Sequence, residues 1–364
     1  MAEKSVVSNA QPSLTEWFAA IGHAKKAELQ AEDIKKRDRL AVLSDLIGLD
    51  YDHVWTFEAE DVWARASHTE AFFAKHADDL CAIRLVPKDP SLPKLRTRGR
   101  SVVASLSWLF EQTVRPADYR VEVVEHSDVA EYSTIFVVRN DGIFGQVVSG
   151  LHHQLTQGDV KGDSWTFQLS PSGEWQWSEH DSGVEAHVKN VLASILVDKE
   201  EMRARLHDEL KTEFASSGHM LGYFETLLWP NRLIFIDYNR LLHNMLPAFA
   251  PISDRGEEGA LRGQCASAGS LEGVACLVES DDVELATVPE GGILLTKNTD
   301  VRFLPLMQGA RAVLTEQGGI LSHAAIVCRE LRIPCVVGIK GLLDRVKNGD
   351  RLSVHAESGI VEVL

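Results

Sequence analysis

Apolar positions in the first forty residues recur at helical spacing. In "AKKAELQAEDIKKRDRLAVL" the Ala, Leu and Ile residues line one side of a charged stretch, which predicts an amphipathic surface helix with no chemistry of its own. From about Leu80 to Leu155 the pattern changes to short apolar or alternating runs, "CAIRLVP", "YRVEVVEH" and "STIFVVRNDGIFGQVVSG". The "NDG" in the last, set between runs rich in Val, Ile and Phe, predicts a hairpin. A strand, "SWTFQLS", then precedes a long helical stretch from about Ser182 to Ser216. Next, "GYFETLLWP" and "RLIFIDYNR", meeting at Pro230-Asn231, read as an antiparallel pair. The segment "FAPISDRGEEGALRGQ", rich in Pro, Gly and charge, predicts a connection at 253–261. Beyond it, strands such as "GVACLVE", "GGILLTK" and "ARAVLTE" alternate with one clear helix, "HAAIVCREL". The expected fold class is a mixed α+β or α/β multidomain chain, divided into residues 1–252, a 253–261 linker and 262–364.

Composition narrows the function classes. A chain of 364 residues, 45% hydrophobic and 25% charged, suits two or three compact soluble units. Its five cysteines lack C-x-x-C spacing, so neither a disulfide framework nor a zinc site is expected, and a reducing cytoplasm fits them. No stretch approaches the ~20 apolar residues that span a bilayer, and the N-terminus does not read as a secretion signal. A net charge of -16 argues against nucleic-acid binding. Against that acidic background, "KLRTRGR", Lys94 to Arg100, is either a solvated face or the seat of a small polyanion.

The clearest chemistry lies at His323. Gly318-Gly319 and then Ser322, a natural N-cap, announce a helix whose N-terminal amides and dipole favour an anion. An imidazole placed there is suited to become a phosphohistidine. The surrounding string, carrying Thr315, Gly318, Gly319, Ser322, His323, Ala324, Ala325, Ile326, Arg329, Glu330, Pro334 and Gly338, resembles the swivelling phosphohistidine domain of the phosphoenolpyruvate-utilising enzymes. That family includes phosphoenolpyruvate synthase, pyruvate phosphate dikinase and the rifampin phosphotransferases. The resemblance runs over roughly residues 260 to 364 and implies a β/β/α carrier domain in which His323 bears the phosphoryl group, with Ser322 and Arg329 as further catalytic candidates. Cys328 and Cys335 are expected to pack.

A phosphohistidine needs a donor. Pairing of the two strands around Pro230 would bring Glu225 opposite Asp237, with Asn239 on the same face, three oxygen ligands suited to Mg²⁺. "FIDYNR" resembles the metal-binding strand of ATP-grasp enzymes, with Asp237 in place of the usual Glu and the usual proline missing. The resemblance extends to "YRVEVVEHSDVAEYSTIFVV" and "GIFGQVVSG" and implies an ATP-grasp-like N-terminal domain of two subdomains. It implies Glu122 or Glu125 near the base, Glu131 at the ribose, and Arg84, Lys94, Arg96, Arg98 and Arg240 as nucleotide-binding candidates. His152 and His153 are expected to be surface or core residues, with contact to a phosphate as the alternative. The resulting expectation is a dikinase-like, Mg-ATP-dependent phosphotransferase acting through phospho-His323, its carrier swinging on the 253–261 connection. In the resembled dikinases the β-phosphoryl group is delivered and AMP released. The acceptor is either a small hydroxyl- or carboxyl-bearing metabolite or a site on a partner subunit. The rival expectations are an ATP-grasp ligase that forms an acyl phosphate without the histidine, and a noncatalytic phosphocarrier.

Overall fold

The structure, a computed structural model, describes residues 14–89, 92–93, 95–150, 152, 155, 163–230, 232–245 and 261–364. Its described residues gather into two compact units, 51–130 and 14–50 together with 131–364. The connection expected at 253–261 lies outside the described residues except for Leu261.

The first unit is an antiparallel sheet with helices. Its elements are β1 (Val54–Glu58), α4 (Ala59–Trp63), α5 (Ser67–Lys75), β2 (Leu80–Pro87), β3 (Leu95–Arg96), β4 (Arg100–Ser101), α6 (Val102–Phe110) and β5 (Tyr119–Glu125). The strands run in the order β1-β5-β2-β3, with β4 also on β2. Alternation along β2 and β5 buries Ile83, Leu85, Val121 and Val123. The same alternation turns Arg84 and Glu122, which are direct cross-strand partners, to the opposite face.

The second unit opens with α1 (Leu14–Ala20), α2 (Lys26–Ile34) and α3 (Lys36–Ile47). These are three helices where one was expected, and Trp17, Phe18, Leu29, Leu40 and Leu43 are buried. They pack on a sheet ordered β11-β10-β6-β7-β8-β9. It is built from β6 (Tyr132–Arg139), β7 (Gly142–Ser149), β8 (Ser164–Leu169), β9 (Trp175–Trp177), β10 (Gly222–Trp229) and β11 (Arg232–Asn239). The hairpin expected at "NDG" joins β6 to β7 with Arg139 paired to Gly142. Gly145 in β7 has a reason to be glycine, because a Cβ there would meet Phe136 and Phe167 side-chain atoms at 2.6 Å. The long helical stretch is two helices, α7 (Ser182–Ser194) and α8 (Glu200–Leu210). Between them Leu196 bridges to His219 and the Val197 N–H donates to the Gly218 carbonyl at 3.1 Å, so the backbone leaves the helix to pair with the following loop.

Residues 261–364 form an eight-stranded sheet, counted over the described residues, in the order β12-β19-β18-β14-β15-β16-β17-β13. These strands are β12 (Leu261–Arg262), β13 (Gln264–Ser267), β14 (Ser270–Leu277), β15 (Gly292–Thr296), β16 (Ala312–Thr315), β17 (Cys335–Val337), β18 (Arg351–His355) and β19 (Ile360–Val363). The run β14-β15-β16-β17 is parallel and its edges are antiparallel. Buried clusters lie on both faces, Leu294 and Val313 in one and Ile293, Leu295 and Leu314 in the other, which accounts for the continuous apolar runs in the sequence. Helices α9 (Leu304–Gly309), α10 (His323–Glu330) and α11 (Leu342–Arg345) complete it. The whole is a mixed α/β chain of several sheets.

Candidate active site

The loop after β16 turns at Gly318, whose φ of 108° favours glycine, and reaches Ser322 at the mouth of α10. The Ser322 hydroxyl accepts from the Ala325 backbone N–H at 3.3 Å, so this side chain caps the helix. His323 is therefore the first helical residue, at the positive end of the helix dipole. It is half-buried, and the Trp17 ring meets it edge-on with centroids 6.5 Å apart. Burial pushes its pKa down to about 4, with Glu225 pulling upward and His152 and Lys36 adding to the fall. The imidazole is thus neutral near pH 7, the state in which a ring nitrogen is nucleophilic.

Glu225 belongs to the β10-β11 hairpin, where it is the cross-strand partner of Asp237 as the spacing predicted. The register slips between Glu225 and Thr226, a bulge that the sequence pattern did not reveal. Glu225 accepts from the Tyr223 hydroxyl at 2.6 Å and lies 2.9 Å from His152 Nε2. Burial works against its charge, yet His152, Lys36 and Tyr223 hold its pKa down to about 2. Burial raises Asp237 to about 6; Glu225 and Asp33 add to that rise, and Lys36, 3.5 Å away, opposes it. Facing carboxylates, one of them reluctant to ionise, make a place that a divalent cation would relieve. Among the described residues no three His, Cys, Asp or Glu side chains make a metal-holding group. A cation here would rest on Glu225, Asp237 and the phosphates of a bound nucleotide, a ligand set that suits Mg²⁺.

The other sequence candidates have different surroundings. Asn239 lies on the expected face, and its amide oxygen accepts from the Leu241 and Leu242 backbone N–H groups at 2.9 and 3.1 Å, which shapes the turn after β11. Arg240, the expected nucleotide-binding candidate, is tied to Glu32 at 2.6 Å and to the Leu210 carbonyl. Arg329 curls back to donate to the Ile320 carbonyl in the loop before His323, as the N-terminal lean of helix side chains allows. Its Nε and Nη1, together with Thr315 Oγ1 and Gln317 Oε1, are buried without a hydrogen-bond partner among the described residues. Burial lowers Arg329 to about 10, and it remains a cation at neutral pH. Cys328 and Cys335 are fully buried, in keeping with packing.

Glu131 is exposed, its backbone N–H donating to the Leu228 carbonyl at 2.8 Å. Arg84, Arg96, Arg98, Glu122 and Glu125 all belong to the first unit. There Arg84 pairs with Arg96 in register and lies 3.8 Å from Glu122, Arg98 helps to depress the pKa of His126, and Glu125 faces Cys81. Lys94 and His153 lie outside the described residues.

Sequence reasoning missed Lys36, Asp33 and Trp17, all on helices to which no chemistry was given. It left His152 as a surface or core residue, and the structure buries it to 8% exposure against Glu225. Lys36 sits in a run of five charges, "KKRDR", where nothing marks one cation as facing a carboxylate two hundred residues away.

The region around His323 is also joined to the hairpin sheet directly. Gln146 of β7 donates to Gln264 at 3.4 Å and Gln264 donates to Thr166 of β8 at 3.0 Å. Gly319 lies so close to Gln146 that a Cβ would collide with its carboxamide.

Residues 288–359 match the mobile domain of the PEP-utilising enzymes. That span contains the capped helix and His323. This chain is 32% identical over 181 residues, 48% of its length, to a rifampicin phosphotransferase of a Streptomyces species. Over 104 residues, 29% of the chain, it is 42% identical to the phosphoenolpyruvate synthase of Pyrococcus furiosus. These matches span 20% and 13% of those relatives, so what the chain shares with them is a part of much longer proteins. The macrocyclase MdnB of Microcystis aeruginosa covers 58% of this chain and 53% of its own at 13% identity, but with a TM-score of 0.25 the fit is too loose to define a fold. Among the described residues no helix is long and apolar enough to cross a membrane.

Proposed function

We propose that this chain is a phosphotransferase in which the mobile domain relays a phosphoryl group from Mg-ATP through His323 to an acceptor. The observation that carries the reading is the placement of a neutral, half-buried imidazole at a capped helix N-terminus whose electrostatic neighbours are Glu225, His152 and Lys36 of the hairpin side. The N-terminal part is read as an ATP-grasp-like nucleotide binder, with Arg84, Arg96 and Arg98 of the first unit as phosphate candidates. Glu225 and Asp237 would hold Mg²⁺, which would supply neutralisation of the phosphate charge. A ring nitrogen of His323 attacks the β-phosphorus in line, the bond from that phosphorus to the oxygen of AMP breaks, and AMP leaves. Water then removes the γ-phosphoryl group as orthophosphate, leaving phospho-His323. Lys36, 3.5 Å from Asp237, is a cation beside this chemistry in the second unit. The acceptor is a hydroxyl or carboxyl group, on a small molecule or held by a partner subunit.

Incubation with ATP labelled separately at the β and γ positions tests the proposal. Wild type should take up acid-labile, alkali-stable label from the β position and release AMP, and His323→Ala should take up none. Label surviving in the variant would remove His323 from the reaction. A second reading is favoured by the engagement of Asn239 and Arg240 elsewhere: a carrier whose own nucleotide site is silent and whose His323 is loaded by another protein. The same experiment separates the two, because a silent site gives neither label nor AMP.

A further inference from the structure

Among the described residues helix α1 spans seven, fewer than the ~12–15 that an isolated helix needs. What orders it is packing on two sides. Trp17 and Phe18 are adjacent, and successive helical residues point ~100° apart, so the two rings enter different cores. Trp17, 2% exposed, is buried with Ala324, Val327 and Cys328 of α10 inside the mobile domain. Phe18, fully buried, lies in a cluster that brings Ile135, Val137 and Tyr223 of the hairpin sheet together with Leu321 and Ile326 of the loop and helix that carry His323. Ile21 packs against both clusters, and His23 Nε2 reaches Glu330 Oε2 at the far end of α10 at 2.8 Å. Trp17 is also the ring that stands edge-on to His323.

We propose that α1 is a detachable key that couples seating of the mobile domain on the hairpin sheet to coverage of His323, with Trp17 as the positioning residue for the imidazole. While the key is in place, Trp17 walls one side of the ring and Phe18 anchors the wall to the sheet. When the mobile domain leaves the sheet, α1 loses one of its two anchors, and the wall beside His323 loosens with it. The coupling follows from placing the two anchors on neighbouring residues, so that neither core can be vacated without disturbing the other. This inference deepens the relay reading and rests on it for its purpose, but its test needs no nucleotide.

The test is the rate at which diethyl pyrocarbonate modifies His323 in the full-length protein, read by peptide mass spectrometry. Trp17→Ala should accelerate modification about tenfold, the scale of one local opening made easier. Trp17→Phe, which keeps an aromatic wall, should remain near the wild-type rate. Phe18→Ala leaves Trp17 in place and should accelerate His323 modification comparably, because it removes the other anchor. Hydrogen exchange of β15 and β16 reports whether each variant keeps the mobile domain folded. A variant that fails this control is replaced by Glu330→Gln, which weakens the tie to His23 without entering either core and should still accelerate modification. Acceleration by Trp17→Ala alone, with Phe18→Ala or its replacement at the wild-type rate, would reduce Trp17 to a local cover and overturn the key. Unchanged rates throughout would overturn it as well. Failure of ATP labelling in wild type would instead strike the relay and leave the modification rates unaffected.

Discussion

At Ser322 and His323 two neighbouring side chains divide the work of one helix terminus. The serine hydroxyl is committed to the Ala325 amide, so its contribution is to stability. Ser322→Ala should cost about 1 kcal/mol of unfolding free energy in denaturant titrations. It should also leave β-labelling of His323 within a few fold of wild type; a collapse of labelling in a folded variant would show that the hydroxyl takes part in transfer. That a helix starts here, and that an imidazole at its mouth suits an anion, was legible from the glycine pair, the serine and the histidine. The depressed pKa of His323 was not, because its cause is burial among groups from distant segments, Trp17 on α1 among them, with Lys36 and His152 adding to the fall and Glu225 opposing it.

The β10-β11 hairpin shows how far an element can be read from its own residues. Spacing around Pro230 placed Glu225 against Asp237, and the structure has that pairing. The same spacing said nothing of where the flanking polar groups would turn. Asn239 bends into its own turn, and Arg240 is captured by Glu32 of α2, which also lies 3.4 Å from Arg39. Glu32 and Arg39 are each 4% exposed, and Arg39 donates further to the Tyr238 carbonyl at 2.9 Å, so α2 and α3 are fastened to the end of β11 by buried charge. Breaking such a network by removing one partner leaves uncompensated buried charge, typically at a cost of about 3–5 kcal/mol. Glu32→Gln should therefore lower stability on that scale in chemical denaturation, and a loss under 1 kcal/mol would mean that the two arginines find other partners. In the sequence this network reads only as surface charge, since helical periodicity assigns residues to faces but does not say which faces are covered.

For the molecule as a whole, buried histidines tie stability to pH. His126 in the first unit and His187 and His323 in the second are each held near a pKa of about 4, chiefly by burial. The unfolded chain takes up these protons as pH falls through about 6.5, while the folded chain resists until about 4. Stability is therefore complete above 6.5 and drains away as pH drops toward 4. His187, 6% exposed and 2.8 Å from Thr134 Oγ1, accounts by itself for up to about 3 kcal/mol across that window. Thermal unfolding should show Tm falling between pH 7 and pH 5, and His187→Gln should flatten the slope; an unchanged slope would mean that His187 is not held neutral.

The order of units along the chain was less readable than the elements. Composition marked a connection at 253–261, yet α1 to α3 pack with residues 131–364, a long-range association that no local pattern encodes. Gly319 shows what that association demands. Its bare backbone lets the loop before His323 rest on Gln146, and a single methyl group there would act as a shim. Gly319→Ala should push the Gln146 carboxamide aside and disturb its bond to Gln264 while sparing the imidazole, the cap and the carboxylates. Loading at the hairpin would then slow in ATP-labelling assays, while discharge of a chemically phosphorylated His323 would proceed at its ordinary pace.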